Sequence, residues 1–127
     1  MKKVITLAQA IFDEERLQII KLLQLREMRI IELADLIDRS QARISQHIAV
    51  LRRAKVVKER REDKTIAYAL VPKTLHELAT LWNNLLDEPI GNLPEMSGIW
   101  RRLNAPNSAK AKTTKTVPPD KKRGGKP

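Results

Sequence analysis

The 127-residue sequence contains no cysteine. Disulfide bonds, thiolate metal ligands and thiol-based sensing are therefore excluded for this chain. Aromatic residues are scarce, since only four positions are Phe, Trp or Tyr. No apolar run approaches the roughly 18–20 residues that cross a bilayer, and acidic residues interrupt the apolar N-terminus before a signal sequence could form. We therefore expect a cytoplasmic protein without a membrane partner.

Glycine is also sparse, and the four glycines lie at positions 91, 98, 124 and 125. A glycine-rich phosphate loop is therefore excluded from the first 90 residues. No nucleophile stands beside a suitable base, and one imidazole, His76 beside Glu77, is a poor constellation for a transition metal. We predict no enzyme activity, no cofactor and no metal site.

Positive charge is abundant, and its distribution divides the chain. Residues 101–127 carry nine Lys/Arg and one acidic residue, whereas residues 1–100 carry sixteen basic and fourteen acidic residues. From residue 104 onward the sequence is rich in Lys, Pro, Thr and Gly and cannot bury a core. We predict a basic disordered tail over residues 104–127. Its natural partners are polyanions, nucleic acid before an anionic membrane surface.

Helical periodicity predicts two helices before residue 26. Apolar residues recur at helical spacing over residues 2–11 and again from residue 17 onward. Asp13 is a suitable N-cap for the second helix, and Glu14 and Glu15 lie in its first turn, where acidic side chains complement the helix dipole. Because the second helix is apolar over much of its circumference, we expect it to be central and buried.

A helix-turn-helix is predicted next. Its first helix covers roughly residues 30–37, and the second begins after Ser40, whose hydroxyl can cap it. Asp38 stands in the turn where glycine is common, and Asp tolerates a left-handed backbone better than most residues. The positions predicted to face inward from the first helix are Ile31, Leu33, Ala34, Leu36 and Ile37.

The segment SQARISQHIAVL, residues 40–51, has the features of a recognition helix. Ile44, Ile48 and Leu51 form one apolar stripe at i, i+4 and i+7. The opposite face carries no carboxylate, which suits insertion into a major groove. An ordinary amphipathic helix is the alternative, and this segment alone does not decide between them. The residues that face away from the stripe or flank it are Gln41, Ala42, Arg43, Ser45, Gln46, His47, Ala49 and Arg53.

After residue 55 the pattern changes to that of a β-hairpin, which would form a wing. The strands are predicted at residues 56–61 and 65–70, with a polar turn at 62–64. Arg60, Arg61 and Lys64 near the tip could contact phosphates or an adjacent minor groove. Two acidic residues at the same tip favour the alternative, a solvated hairpin without DNA contact.

A last helix is predicted from Pro72 to about Asp87. It carries a long apolar stripe, and the earlier helices already supply a core. We therefore predict that the stripe forms a dimer surface with the first helix, the alternative being burial within one chain. The predicted interface residues are Val4, Leu7, Ile11, Leu75, Leu78, Trp82 and Leu85.

These elements predict three parts. Residues 1–88 form a mainly α-helical winged helix-turn-helix domain, with about five helices and a two-stranded wing, expected to be dimeric. Residues 89–103, which Pro89, Gly91 and Pro94 interrupt, form an extension that packs on the body or on the partner subunit. Residues 104–127 form the tail.

Two segments of the sequence, FDEERLQIIKLL and ELADLIDRSQARISQHIAVLRRAKVVKERREDKTIAYAL, resemble the ArsR/SmtB family of winged helix repressors. The resemblance covers about residues 4–87. It implies a dimer formed by the first and last helices, with two recognition helices reading an inverted repeat. Metal-sensing members often place Cys-x-Cys on the helix that matches Met28 to Leu33, and this chain lacks that pair.

The resemblance also implies roles for individual residues. Ser40 would bond a phosphate and Gln41 would reach a base edge. For His47 we favour a structural or phosphate-binding ring, hydrogen-bonded to backbone at the helix–DNA boundary, over a metal ligand or pH switch. The full predicted DNA-binding set is Ser40, Gln41, Ala42, Arg43, Ser45, Gln46, His47, Arg52, Arg53, Arg60, Arg61 and Lys64.

The leading hypothesis is a homodimeric transcriptional regulator, most simply a repressor that occupies an inverted-repeat operator in double-stranded DNA at the nucleoid. The sequence identifies no small-molecule effector. One alternative is an architectural DNA-binding protein in which the basic tail dominates. The other is a protein-interaction module built on the winged helix.

Overall fold

The computed structural model describes residues 1–106, in two compact units of which the first is Met1–Leu86 and the second starts at Asp87. The elements up to the start of the second unit are α1 (Lys2–Ile11), α2 (Glu14–Leu25), α3 (Ile30–Ile37), α4 (Gln41–Arg53), β1 (Val57–Glu62), β2 (Thr65–Leu70) and α5 (Pro72–Asp87). Five helices and a two-stranded hairpin confirm the predicted winged helix-turn-helix. The tail predicted over residues 104–127 lies outside the described residues from position 107 onward.

Side-chain caps set the start of two helices at the predicted residues. The Asp13 carboxylate accepts the Arg16 backbone N–H at 3.1 Å, and the Ser40 hydroxyl accepts the Arg43 backbone N–H at 3.1 Å. Each cap satisfies one of the N–H groups that a helix start leaves without an internal partner. Asp38 ends α3 with φ 63° and ψ 53°, the left-handed geometry expected of it.

The core is built around α4, which contacts α1, α2, α3 and β1. The largest fully buried side chains are Ile19, Leu33, Ile44, Ile48, Leu51 and Val56. Three of the six belong to α4 and form the predicted stripe, which is thereby confirmed. Burial of one such side chain is worth about 1.5–3 kcal/mol relative to exposure, so the orientation of α4 about its axis is fixed by its inner face.

Two predictions for α3 are wrong, because Ile31 is 49% exposed and Leu36 is 57% exposed. An eight-residue helix has little more than two turns, and Leu33 and Ala34 already fill its inward face. The connection between α2 and α3, residues 26–29, contains the buried Met28. Its backbone forms an isolated bridge with Tyr68, through N–H to oxygen distances of 3.2 and 2.8 Å.

The hairpin pairs β1 with β2 in antiparallel register, from Val57 opposite Leu70 to Glu62 opposite Thr65. The first strand starts one residue later than predicted, because the Val56 N–H donates to the Leu51 oxygen at 2.9 Å and closes the end of α4. The turn is also shorter than predicted, with Asp63 in left-handed geometry at φ 54°.

The start of α5 is tied to the end of α4, since the Thr74 hydroxyl donates to the Lys55 carbonyl at 2.6 Å. Thr74, at 7% exposure, is the only buried residue of α5. Trp82 is 50% exposed, and Leu75, Leu78 and Leu85 are half-buried. The apolar stripe is therefore only partly covered within one chain.

The described part of the second unit contains two single-turn 3-10 helices, Ile90–Asn92 and Pro94–Met96, and a short helix α6, Ser97–Leu103. This sixth helix was not predicted. A Cβ on Gly91 would lie 3.3 Å from the Trp100 ring, so the absence of a side chain permits the close approach. That this extension packs on the body or the partner stays a prediction. Within residues 1–106, no helix combines the length and apolar character needed to cross a membrane.

Candidate nucleic-acid interface

The outward face of α4 is exposed, and the helix contains no acidic residue. Gln41, Ala42, Ser45 and Gln46 are all exposed at its N-terminal half. Small and amide side chains let a helix approach base edges closely, and an amide can bond an adenine at two atoms. Four residues of the predicted DNA-binding set therefore share one accessible surface.

Behind this surface lies a polar group of five residues, the Glu15 cluster, which sequence reasoning did not predict. It consists of Glu15, Arg16, Arg39, Arg43 and His47. The Glu15 carboxylate accepts from Arg39 Nε at 2.6 Å, from Arg43 Nε at 2.7 Å and from His47 Nε2 at 2.8 Å. The Glu15 side chain is only 11% exposed. One carboxylate on α2 thus joins the turn of the helix-turn-helix to the recognition helix.

These donors hold the carboxyl in its ionised form. Hydrogen bonds from the Arg43, Arg39 and His47 side chains lower the pKa of Glu15 from 4.5 to about 2, against the opposing effect of removal from water. From the sequence, Glu15 was expected only to complement the dipole of α2. The structure shows that Glu15 also accepts three side-chain hydrogen bonds, from Arg39, Arg43 and His47.

Arg16 joins the same cluster to the end of α1. Its guanidinium donates to the carbonyls of Gln9 and Ala10, which the last turn of α1 leaves without internal partners. It also donates from Nη1 to His47 Nδ1 at 3.1 Å. The C-terminus of α1 is therefore capped by a cation that contacts the recognition helix.

His47 faces the interior side of α4, where its side chain is 14% exposed. Its Nδ1 accepts from Arg16, so the ring proton sits on Nε2 and is donated to Glu15. The predicted partner for this ring was backbone, and that is wrong, because both partners are side chains. Its contact with DNA stays a prediction.

Arg43 differs from His47 in having a free end. Only its Nε is engaged by Glu15, and the side chain is 58% exposed. Within residues 1–106, neither Nη group of Arg43 has a hydrogen-bond partner. The guanidinium is thus held at one edge and accessible at the other.

The basic residues of the wing, and Arg52 in the last turn of α4, lie in a different setting. Arg60 pairs with Glu27 at 2.7 Å, and Glu59 pairs with both Arg52 at 3.0 Å and Arg61 at 3.4 Å. These arginine side chains are 49–69% exposed, so the pairs are worth about 0–1 kcal/mol each.

Two further predicted cations, Arg53 and Lys64, are exposed and form no salt bridge in the part of the chain that the structure describes. The same part contains no group of three or more His, Cys, Asp or Glu side chains that could hold a metal ion.

A signal for the cluster is present in the sequence. Arg39, Arg43 and His47 stand at intervals of four residues, which places a row of basic side chains along one side of the recognition helix and its turn. Such a row needs counter-charge when it lies against another helix. The buried acid that supplies it comes from a segment 24 to 32 residues away, and periodicity carries no information on that distance.

Comparisons with known proteins match this same region. Residues 13–59, from the cap of α2 to the first strand, match the sequence profile of the family described as bacterial regulatory protein, arsR family. The transcriptional activator HlyU of Vibrio cholerae is 35% identical over 83 residues, which cover 65% of this chain and 77% of HlyU. The chain belongs to the ArsR family of bacterial regulatory proteins. It is a DNA-binding transcriptional regulator with a winged helix-turn-helix fold.

A second relative and two solved structures are also similar to this ArsR-family protein. The arsenical resistance operon repressor of Escherichia coli is 38% identical over 69 residues, 54% of this chain and 59% of the repressor. The solved structure of Vibrio cholerae HlyU superposes with a TM-score of 0.54 at 33% identity, covering 68% of this chain and 92% of that one. A homodimeric winged helix-turn-helix domain from Mycobacterium bovis has a TM-score of 0.56 at 22% identity, covering 73% and 86%, and supports the fold alone.

Proposed function

We propose that this protein is a homodimeric repressor that binds an inverted-repeat operator with two copies of α4 in successive major grooves. The observation that carries the proposal is the acid-free outer face of α4, fixed in orientation by three buried residues and by the Glu15 cluster behind it. A rigid helix of this kind can enter a groove about 12 Å wide and contact base edges.

Roles within the interface follow from exposure and chemistry. Gln41 and Gln46 carry amides that suit adenine, and Ser40 lies at the helix start, where it can bond a phosphate. Arg52 and Arg53 follow at the last turn of α4. Arg60, Arg61 and Lys64 of the wing supply phosphate contacts beside the site, with Arg60 and Arg61 exchanging their surface glutamates for DNA.

The dimer is proposed to form through α1 and α5. A groove of about 510 Å³ lies between these helices, lined by apolar side chains that include Val4, Leu75, Leu78 and Trp82. Half-exposed Trp82 is the strongest candidate, because interface cores favour aromatic anchors. Of the predicted interface residues on α1, Val4, Leu7 and Ile11 are already at most 8% exposed in one chain. They would support the interface from beneath, and the exposed Ile5 would join it.

Repression rather than activation is proposed for a physical reason. A compact dimer on an operator excludes polymerase from overlapping promoter DNA without further contacts, whereas activation needs a second surface for the polymerase. The relatives include an activator in Vibrio cholerae and a repressor in Escherichia coli, so family membership leaves the direction open. We infer that the protein acts at the nucleoid, in the cytoplasm, and carries out no catalysis.

The test is selection of bound duplexes from random DNA by the full chain at stated salt, with the mass of the complex measured by light scattering. We expect discrete sites with twofold symmetry and two chains per site. Uniform recovery of all sequences would indicate an architectural protein instead, and no binding at moderate salt would indicate a protein-interaction module.

The basic tail has a separate expected role. Deleting residues 104–127 should lower affinity for every sequence and flatten the salt dependence, because each neutralised phosphate contributes roughly −0.9 to the log–log slope. Sequence preference should remain. Loss of preference with an unchanged slope would contradict this division between helix and tail.

A further inference from the structure

We propose that Glu15 is a positioning residue for base recognition, which holds Arg43 by Nε so that both Nη groups meet a guanine in each half-site. The proposal rests on the function proposed above and names one specificity determinant of that site. Glu15 itself is too buried to touch DNA, with a side chain 11% exposed, and therefore acts through Arg43.

The geometry leaves Arg43 one edge for a ligand. Its backbone N–H is bonded to Ser40 Oγ at 3.1 Å, and its Nε is bonded to Glu15 at 2.7 Å. The two Nη groups have no partner among residues 1–106 and belong to a side chain that is 58% exposed. A guanine presents O6 and N7 as adjacent acceptors in the major groove, which two parallel N–H groups of one guanidinium match.

The support behind Arg43 is itself fixed. The second oxygen of Glu15 is bonded to Arg39, and the first is shared with His47, whose other ring nitrogen is bonded to Arg16. Rotation of the carboxylate would break several bonds at once. An arginine that is already ordered before binding loses less side-chain entropy when it contacts DNA. Its fixed orientation also favours the base whose acceptors match its two Nη groups.

The charges of the cluster also leave Arg43 able to bind DNA, because Glu15 does not form an exclusive ion pair with it. Within residues 1–106, Glu15 is the only acidic partner of Arg43, and it also accepts from Arg39, so two arginines share one carboxylate. Arg39 has Nε on Glu15 and Nη1 on the Asp38 carbonyl at 2.9 Å. With fewer free donors and a place in the turn, Arg39 suits a phosphate, whereas Arg43, in the first turn of α4, suits a base.

The experiment compares base preference at every operator position for the wild type and four variants of the full chain. The variants are Glu15→Gln, Arg43→Ala, the double variant, and Glu14→Gln as the matched control. Glu14 is the exposed neighbour in the same turn, and its substitution removes the same charge without removing a hydrogen bond of the cluster. Binding is measured well below the melting temperature of each variant, so that all are folded.

The wild type should prefer guanine at one base pair per half-site by a factor of about 5–150. Arg43→Ala should abolish that preference, and Glu15→Gln should reduce it to about threefold or less while preferences elsewhere persist. The double variant should match Arg43→Ala, and Glu14→Gln should match the wild type. This pattern at one base pair is not produced by a general loss of stability.

Three results would overturn the proposal. Glu15→Gln could leave the guanine preference intact while lowering the melting temperature, which would make Glu15 structural. Arg43→Ala could lower the affinity for all DNA sequences equally, which would make Arg43 a phosphate contact. A wild type without any sequence preference would overturn both this proposal and the proposed function, and it is recognised before any variant is compared.

Discussion

The recognition helix and the wing both place arginines beside glutamates, with opposite consequences. In the Glu15 cluster the carboxylate is 11% exposed and accepts three side-chain donors from the turn and α4. Among the acids that pair with wing arginines, Glu59 of β1 is 23% exposed, and Glu27, in the connection between α2 and α3, is 41% exposed. The buried acid orients its arginines, whereas the surface acids only neutralise theirs. Whether an arginine is held in one orientation therefore depends more on the burial of its acidic partner than on the presence of an arginine–glutamate pair.

This difference fits two kinds of DNA contact. Base edges must be met at a fixed angle, and an arginine held from behind meets that need. Phosphates can be met from many angles, and an arginine in an exposed pair worth about 0–1 kcal/mol can exchange its partner freely. The helix is thus suited to select a sequence, and the wing to add affinity.

The largest expected effect is on stability, and it compares a substitution in α4 with one in the wing. Ile44 of α4 is fully buried, and Ile66 of the wing is half-buried. Ile44→Ala should lower the free energy of unfolding by about 2–5 kcal/mol, because a cavity remains where the side chain was. Ile66→Ala should cost clearly less. Urea unfolding of both variants measures this, and equal losses would show that the wing is anchored as firmly as the helix.

A second prediction compares the two regions in DNA binding. Gln41→Ala removes an exposed amide from α4 and should lower affinity for the preferred site by about 5–150-fold, with loss of preference at the contacted base. Lys64→Ala removes a wing cation and should weaken all sequences by a few-fold, with a salt slope reduced by roughly 0.9. Titrations at several salt concentrations separate the two. A change of base preference in Lys64→Ala would contradict the assignment of the wing to phosphates.

The smallest effect concerns pH. The pKa of Glu15 falls from 4.5 to about 2 on folding, so its contribution to stability is complete above pH 4.5 and is lost as the pH falls through about 2. The wild type should melt above Glu15→Gln at pH 6, and the gap should close towards pH 2. Glu14→Gln is the control and should show no comparable gap. A wild-type advantage that stays constant down to pH 2 would mean that the Glu15 charge is not its source.

The elements of the first unit follow from local signals in the sequence. The caps at Asp13 and Ser40, the left-handed Asp38 and the stripe of α4 each depend on residues within one or two turns. Local chemistry therefore located the helix starts and the inner face of α4. It was less successful for α3, where apolar residues occupy more positions than the core can accept, so that Ile31 and Leu36 remain exposed.

The features that the sequence did not reveal depend on distant partners. The bridge between Met28 and Tyr68 joins segments 40 residues apart, and the contact of Glu15 with His47 joins segments 32 residues apart. Periodicity does not identify the distant partner in either pair. The candidate site shows the same division, because the exposed surface of α4 could be predicted, whereas the support behind Arg43 could not.

Interference by dimethyl sulfate on the selected operator tests the central claim most directly. The reagent methylates guanine N7 in the major groove and adenine N3 in the minor groove, so one experiment reports on base contacts in both grooves. We predict strong interference at guanine N7 within each half-site, lost in Arg43→Ala, and at most weak interference at flanking adenine N3. Interference confined to adenine N3, with guanine N7 methylation tolerated throughout, would contradict the assignment of sequence recognition to α4.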